Sequence, residues 1–173
     1  MNPEIFGPPT WIWLFYLALM CTTDEEKDIL LSILKDLQIL LPCSTCRTHL
    51  KYNMDTHDPQ RYCKNKENLF YYIYLLKTLA DNNRPVYSPP PFQEVKRKYM
   101  HMSERTFADA LWKSLFLLAK ECQDKDRYVI MLRRISKLAP SENMRIRMNN
   151  FIESVDISNP ERYIERMKAY IEN

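Results

Sequence analysis

Apolar positions along the chain recur at helical period. After Thr23 the residues Ile29, Leu30, Ile33, Leu34, Leu37 and Leu41 fall on one face of a 3.6-residue helix. Thr23 and Glu26 have capping-box spacing at its start, and Pro42 ends it. Upstream, the apolar run Trp11 to Cys21 follows Pro8, Pro9 and Thr10, and Thr10 suits an N-cap. A third helix is predicted from Cys43 to about Met54, then a polar loop over 55–64 carrying Pro59. A fourth runs from Glu67 to Asp81, with Leu69, Phe70, Ile73, Leu76 and Leu79 as its stripe. Arg84 to Phe92 holds four prolines in nine residues, which makes a stiff, extended linker. The second half is helical again, so the expected fold class is all-α.

The two halves resemble each other. Trp11 to Cys21 and Trp112 to Cys122 match at six of eleven positions without a gap, with a tryptophan and a cysteine in register at the two ends. A charged turn and a periodic helix follow in both. Pro42-Cys-Ser-Thr-Cys-Arg47 aligns with Pro140-Ser-Glu-Asn-Met-Arg145 after a three-residue gap, and Glu67-Asn-Leu-Phe compares loosely with Glu161-Arg-Tyr-Ile. This reads as a tandem duplication whose second copy has lost both cysteines. The alternative is two unrelated helical bundles. The expected domains are residues 1–92 and 93–173.

Composition narrows the function classes. The chain has 173 residues, 46% hydrophobic and 27% charged. Lys plus Arg is 25 against 22 for Asp plus Glu, too even for a nucleic-acid footprint. Gly7 is the single glycine. A P-loop or a G-x-G-x-x-G fingerprint therefore cannot exist here, and any nucleotide cofactor must be held by helices and side chains. Scarce glycine also argues against hairpins and barrels. The opening Met1-Asn2-Pro3-Glu4 lacks the basic region of a signal peptide. The longest apolar run, Trp11 to Cys21, falls short of the roughly 20 residues that span a bilayer. Five cysteines, odd in number and irregular in spacing, do not form a secreted disulfide framework. A reducing, cytoplasmic setting is expected.

The sharp chemical signal is Cys43-Ser-Thr-Cys46. Cysteines three apart at a helix N-terminus can close a small disulfide, and the helix's positive end stabilises a thiolate at the first. Zinc competes as a reading: Cys43, Cys46, His49 or His57, and Cys63 could supply four ligands. A third possibility is inert buried thiols. Cys21 and Cys122, each ending an apolar helix, are expected to be buried and inert.

The flanks carry a resemblance. Phe6-Gly7-Pro-Pro-Thr-Trp11-Ile-Trp-Leu14-Phe15 resembles W-G-x-x-x-W-x-x-L-H, and Leu41-Pro-Cys-Ser-Thr-Cys-Arg-Thr-His49 is similar to P-C-x-x-C-R-x-H. Asn65 to Asp81, followed by Arg84-Pro85, falls where an L-F-x-W-L-x-x-L-H-N-x-V-N helix and a K-P would stand. These are the ordered motifs of the Erv/ALR family of FAD-linked sulfhydryl oxidases, and the spacing is most like its poxvirus-type members. Three family positions differ: the histidine is Phe15, the H-N pair is Lys77-Thr78, and the last asparagine is Asp81. A second, shuttle C-x-x-C is absent.

The resemblance implies a four-helix bundle with a short fifth helix, holding FAD. It implies a flavin-dependent thiol oxidase passing electrons from Cys43-Cys46 to FAD and on to O2, giving H2O2. Cofactor contacts would come from Gly7, Trp11, Phe15, Arg47, His49, Tyr72, Leu76, Lys77, Asp81 and Tyr87. Among these, Trp11, Tyr72 and Tyr87 would sandwich or edge the flavin, Arg47 would keep sulfur anionic, and His49 would hydrogen-bond the flavin or its ribose. Trp13 and Tyr74 are expected to be core packing. The implied partner is a thioredoxin-like or small C-x-x-C protein. Nucleic acid is not expected, and the location would be host cytoplasm, a viral factory or a virion. The second half would make an internal pseudo-dimer, or the chain would form a homodimer.

Overall fold

The computed structural model describes residues 1–82 and 88–153. All regular structure among these residues is helical. The first half contains α1 (Pro3–Met20), α2 (Asp24–Leu40), α3 (Ser44–Thr56), the single turn α4 (Pro59–Tyr62) and α5 (Lys66–Asp81). Next comes α6 (Phe92–Met100), then α7 (Glu104–Glu121), α8 (Lys125–Lys137) and α9 (Glu142–Glu153). No helix among the described residues is long and apolar enough to cross a membrane.

Helix α1 begins at Pro3, well before the cap expected at Thr10. Asn2 is the cap, its side chain accepting from the Glu4 N–H at 2.9 Å, and Pro3 fills the first position, where no N–H is needed. Pro8 and Pro9 therefore lie inside the helix and leave the Glu4 and Ile5 carbonyls without their i+4 donors. Packing overrides that cost. Trp13, Phe15, Leu17 and Ala18 are all buried, because α1 is enclosed by α2, α5, α6 and α7. Thr10, freed from capping, donates its hydroxyl to the Phe6 carbonyl at 2.7 Å.

The capping box of α2 forms as expected: the Glu26 N–H donates to Thr23 Oγ1 at 3.2 Å, and the Glu26 carboxylate accepts from the Thr23 N–H at 3.0 Å. Hydrogen bonds from the backbone N–H of Thr22 and from Thr23 hold that carboxyl below its ordinary range. Helix α6 was not expected. It starts at Phe92 and packs on α1 and α5.

The second half repeats the register of the first. Glu104 and Glu121 stand 101 positions after Pro3 and Met20, the two ends of α1. Lys125 stands 101 after Asp24, and Glu142 stands 98 after Ser44, the three-residue shift read from the alignment. The caps correspond too. The Cys46 N–H donates to Cys43 Sγ at 3.2 Å, and the Met144 N–H donates to Ser141 Oγ at 3.2 Å. The loose match at Glu161 lies outside the described residues.

Two helices pack on their counterparts, α1 on α7 and α2 on α8, and one hydrophobic core runs through both halves. The α1/α7 pair is antiparallel: Thr10 meets Ser114 (Oγ1 to Oγ 2.7 Å), while Tyr16, further along, stacks on the earlier Phe107 with centroids 4.5 Å apart. Between α2 and α8, the buried Asp36 carboxylate accepts from Arg127 at 3.4 Å and from Arg134.

Candidate functional site

The site is built where the ends of α2 and α3 meet the open side of α1. Pro42 breaks the chain out of α2, and Cys43 restarts it as the N-cap of α3. Cys43 and Cys46 are joined as a disulfide, with Cα atoms 5.1 Å apart. Both are half-buried. The N–H that caps on Cys43 Sγ would equally stabilise a thiolate there once the bond is opened. Arg47 bonds to the backbone beside the dithiol. Its Nη1 donates to the Leu41 carbonyl at 2.5 Å, clamping the end of α2 to the first turn of α3.

Cys46 lines a cleft of about 320 Å³. Six of the ten expected cofactor residues share its wall: Gly7, Trp11, His49, Leu76, Lys77 and Asp81. Gly7 sits inside α1, where glycine costs about 1 kcal/mol relative to alanine. A Cβ added there would meet nothing within 4 Å, so the backbone itself forms that part of the wall. Lys77 and Asp81, one turn apart on α5, form an ion pair at the cleft. The remaining lining is largely apolar, including Leu14, Leu34, Leu37 and Leu50.

Three expected residues do not reach this cleft, and one lies outside the described residues. Phe15 is fully buried, stacked on Tyr99 with centroids 4.6 Å apart, and it lines a second cavity of about 260 Å³ instead. Tyr72 is fully buried and donates its hydroxyl to the His57 carbonyl at 2.9 Å. Burial raises the Tyr72 phenol above its ordinary range, so it acts as a packing group. Arg47 is the clamp described above, and Tyr87 falls in the residues not described. Trp13 is core, as expected, and the half-buried Tyr74 donates its hydroxyl to the Pro90 carbonyl at 2.9 Å.

Sequence reasoning missed Asn53, Lys98 and Tyr99, which also line the cleft. Lys98 and Tyr99 come from α6. The i, i+3, i+7 spacing of Phe92, Val95 and Tyr99 was the available signal for that helix. Burial pushes the Tyr99 phenol up to about 12, so it stays protonated.

The candidate zinc ligands do not converge. Cys43 and Cys46 are bonded to each other, His57 Nδ1 stands 3.3 Å from the Tyr62 hydroxyl, and Cys63 is buried. Among the described residues no group of three or more His, Cys, Asp or Glu could hold a metal ion. The other thiols are poorly reactive. Burial pushes both Cys21 and Cys63 up to about 12 and raises Cys122. At neutral pH, iodoacetamide on the reduced native protein should therefore label Cys43 first and spare Cys21 and Cys63. Labelling of that pair should rise only as pH approaches 12, where their thiolates form. Mass mapping checks this, and fast neutral labelling of Cys63 would contradict it.

No protein-family model, curated protein or solved structure matches the chain.

Proposed function

We propose that the chain is a FAD-dependent thiol oxidase that forms disulfides in partner proteins. The observation that carries the proposal is the position of Cys46: the inner sulfur of a helix-capping disulfide lies on the wall of a largely apolar cleft. A flat, apolar ring fits this wall. Gly7 offers bare backbone, Trp11 and Leu76 offer apolar surface, and His49 and Asn53 offer polar atoms at the edge.

A partner thiolate attacks Cys43 Sγ. The Cys43–Cys46 bond breaks, a mixed disulfide forms on Cys43, and Cys46 leaves as a thiolate beside the cleft. The partner's second thiolate then attacks its own sulfur in the mixed disulfide. That step releases the partner disulfide and leaves Cys43 as a thiolate facing the Cys46 N–H. Two electrons now sit on the dithiol, and Cys46 re-forms its bond to Cys43 as it gives them up at the cleft. FAD held at the cleft would supply the two-electron acceptor, with O2 as the final oxidant and H2O2 as the product. Arg47 holds the Pro42 turn so that Cys43 caps α3 while Cys46 faces inward. The chain holds no second C-x-x-C, so the natural substrate is read as a separate thioredoxin-like or small C-x-x-C protein in the cytoplasm, a viral factory or a virion.

We read the second half as a degenerate copy of the first, packed on it as an internal pseudo-dimer with one site. The matched helix registers and the antiparallel packing of α1 on α7 support this, since a two-fold axis perpendicular to two equivalent helices sets them antiparallel. Light scattering should give a particle near 20.9 kDa carrying one FAD. A particle of twice that mass with two FAD would refute the pseudo-dimer and leave a homodimer.

A further inference from the structure

Helix α6 brings a second lysine, Lys98, to the cleft. Lys77 pairs with Asp81, whereas Lys98 is exposed and forms no ion pair among the described residues. Its Nζ lies 5.7 Å from the centroid of the Tyr99 ring beside it. Lys98 lies on a wall common to two cavities. The cleft of about 320 Å³ at Cys46 and the second cavity of about 260 Å³ share Lys77, Lys98 and Tyr99 in their walls. The rest of the second cavity's wall comes from Phe15, Tyr74, Val95 and Pro90, which are apolar or aromatic, and from the polar Thr78. Glu94 also lines it, one turn before Lys98 on α6, and would repel an anion placed deep inside. The favourable place for negative charge is therefore the shared wall, next to Lys98.

Two cavities with largely apolar walls that share a cation fit a ligand with a ring system at each end and an anionic bridge between them. Resting on the flavin reading above, we propose that Lys98 is the counter-charge for the diphosphate bridge of the cofactor. The second cavity takes the adenosine end, so the site selects a dinucleotide over a mononucleotide. Tyr99, stacked on Phe15 and kept protonated, forms the wall between the two ends.

The test is a fluorescence titration of the deflavinated full-length chain with FAD, FMN and riboflavin at several salt concentrations. The wild type should bind FAD more tightly than FMN or riboflavin. Lys98→Glu should weaken FAD by about tenfold or more, the size expected for losing a charge-assisted contact. It should also flatten the salt dependence, leave riboflavin unchanged, and be rescued by Lys98→Arg. Val95→Trp, which fills the second cavity, should lower FAD affinity but not riboflavin affinity. Unchanged FAD affinity in Lys98→Glu, or an equal loss for riboflavin, overturns the inference while the oxidase reading stands. A wild-type chain that binds no flavin of any kind overturns both.

Discussion

Cys46→Ser should lower dithiol-driven oxygen consumption by more than about a thousandfold, the scale on which loss of a covalent catalytic group is felt. Cys43→Ser should do the same. The two fail for different reasons. Without Cys43 the partner thiolate loses the sulfur it attacks at the N-cap of α3. Without Cys46 no disulfide exists to attack, and no sulfur remains on the cleft wall. Both variants should still hold FAD, because Cys46 is one lining group among many and Cys43 is not one of them. Cys21→Ser and Cys122→Ser should leave turnover nearly intact, since both thiols end helices with their Sγ donating to backbone carbonyls, of Glu26 and Asp124 respectively. Oxygen-electrode traces with a dithiol substrate read the result. Sustained turnover in either Cys43→Ser or Cys46→Ser would remove the pair from the mechanism.

The second large effect concerns Asn53, and it comes from comparing the two halves. Asn53 lines the open cleft near the end of α3. Its counterpart 98 positions on is Phe151 of α9, fully buried. The Phe151 ring meets Trp112 edge-on, with centroids 5.4 Å apart. Trp112 is in turn the counterpart of Trp11, which lines the cleft in the first half and is only half-buried. Ala108 stands where the first half has Gly7, and Met144 where it has Cys46. The second half therefore fills with its own side chains the position that the first half leaves open. Asn53→Phe should do the same in the first half. Flavin content should fall to a small fraction of wild type, while burial of the new ring should raise stability by about 1–3 kcal/mol. Asn53→Ala should keep the flavin. Full flavin content in Asn53→Phe would show that the cleft is not the cofactor site.

Much of this architecture was legible in the sequence because the signals were local. Thr23 and Glu26 announced a capping box, the stripe from Ile29 to Leu41 announced α2, and Pro42 with Cys43 announced the restart that aims the dithiol. Gly7 was reached through the match to W-G-x-x-x-W, and it does line the cleft. What stayed illegible depends on tertiary packing. Thr10 looked like a cap because it follows two prolines, but enclosure of α1 by four other helices carries the helix through them. Phe15 and Tyr72 lie on the same helices as cleft residues, and only the packing turns their rings away. Helix α6 stood beside a proline run that masked its three-residue apolar stripe, so Lys98 and Tyr99 went unseen.

The most direct measurement is the visible spectrum of the purified full-length chain, recorded before and after anaerobic addition of a dithiol. The account predicts a yellow protein with one FAD per chain, whose flavin absorbance bleaches with dithiol and returns in air, and which fails to bleach when Cys46 is serine. A colourless protein, with or without an equivalent of zinc, or a flavin that dithiol cannot reduce, would contradict it.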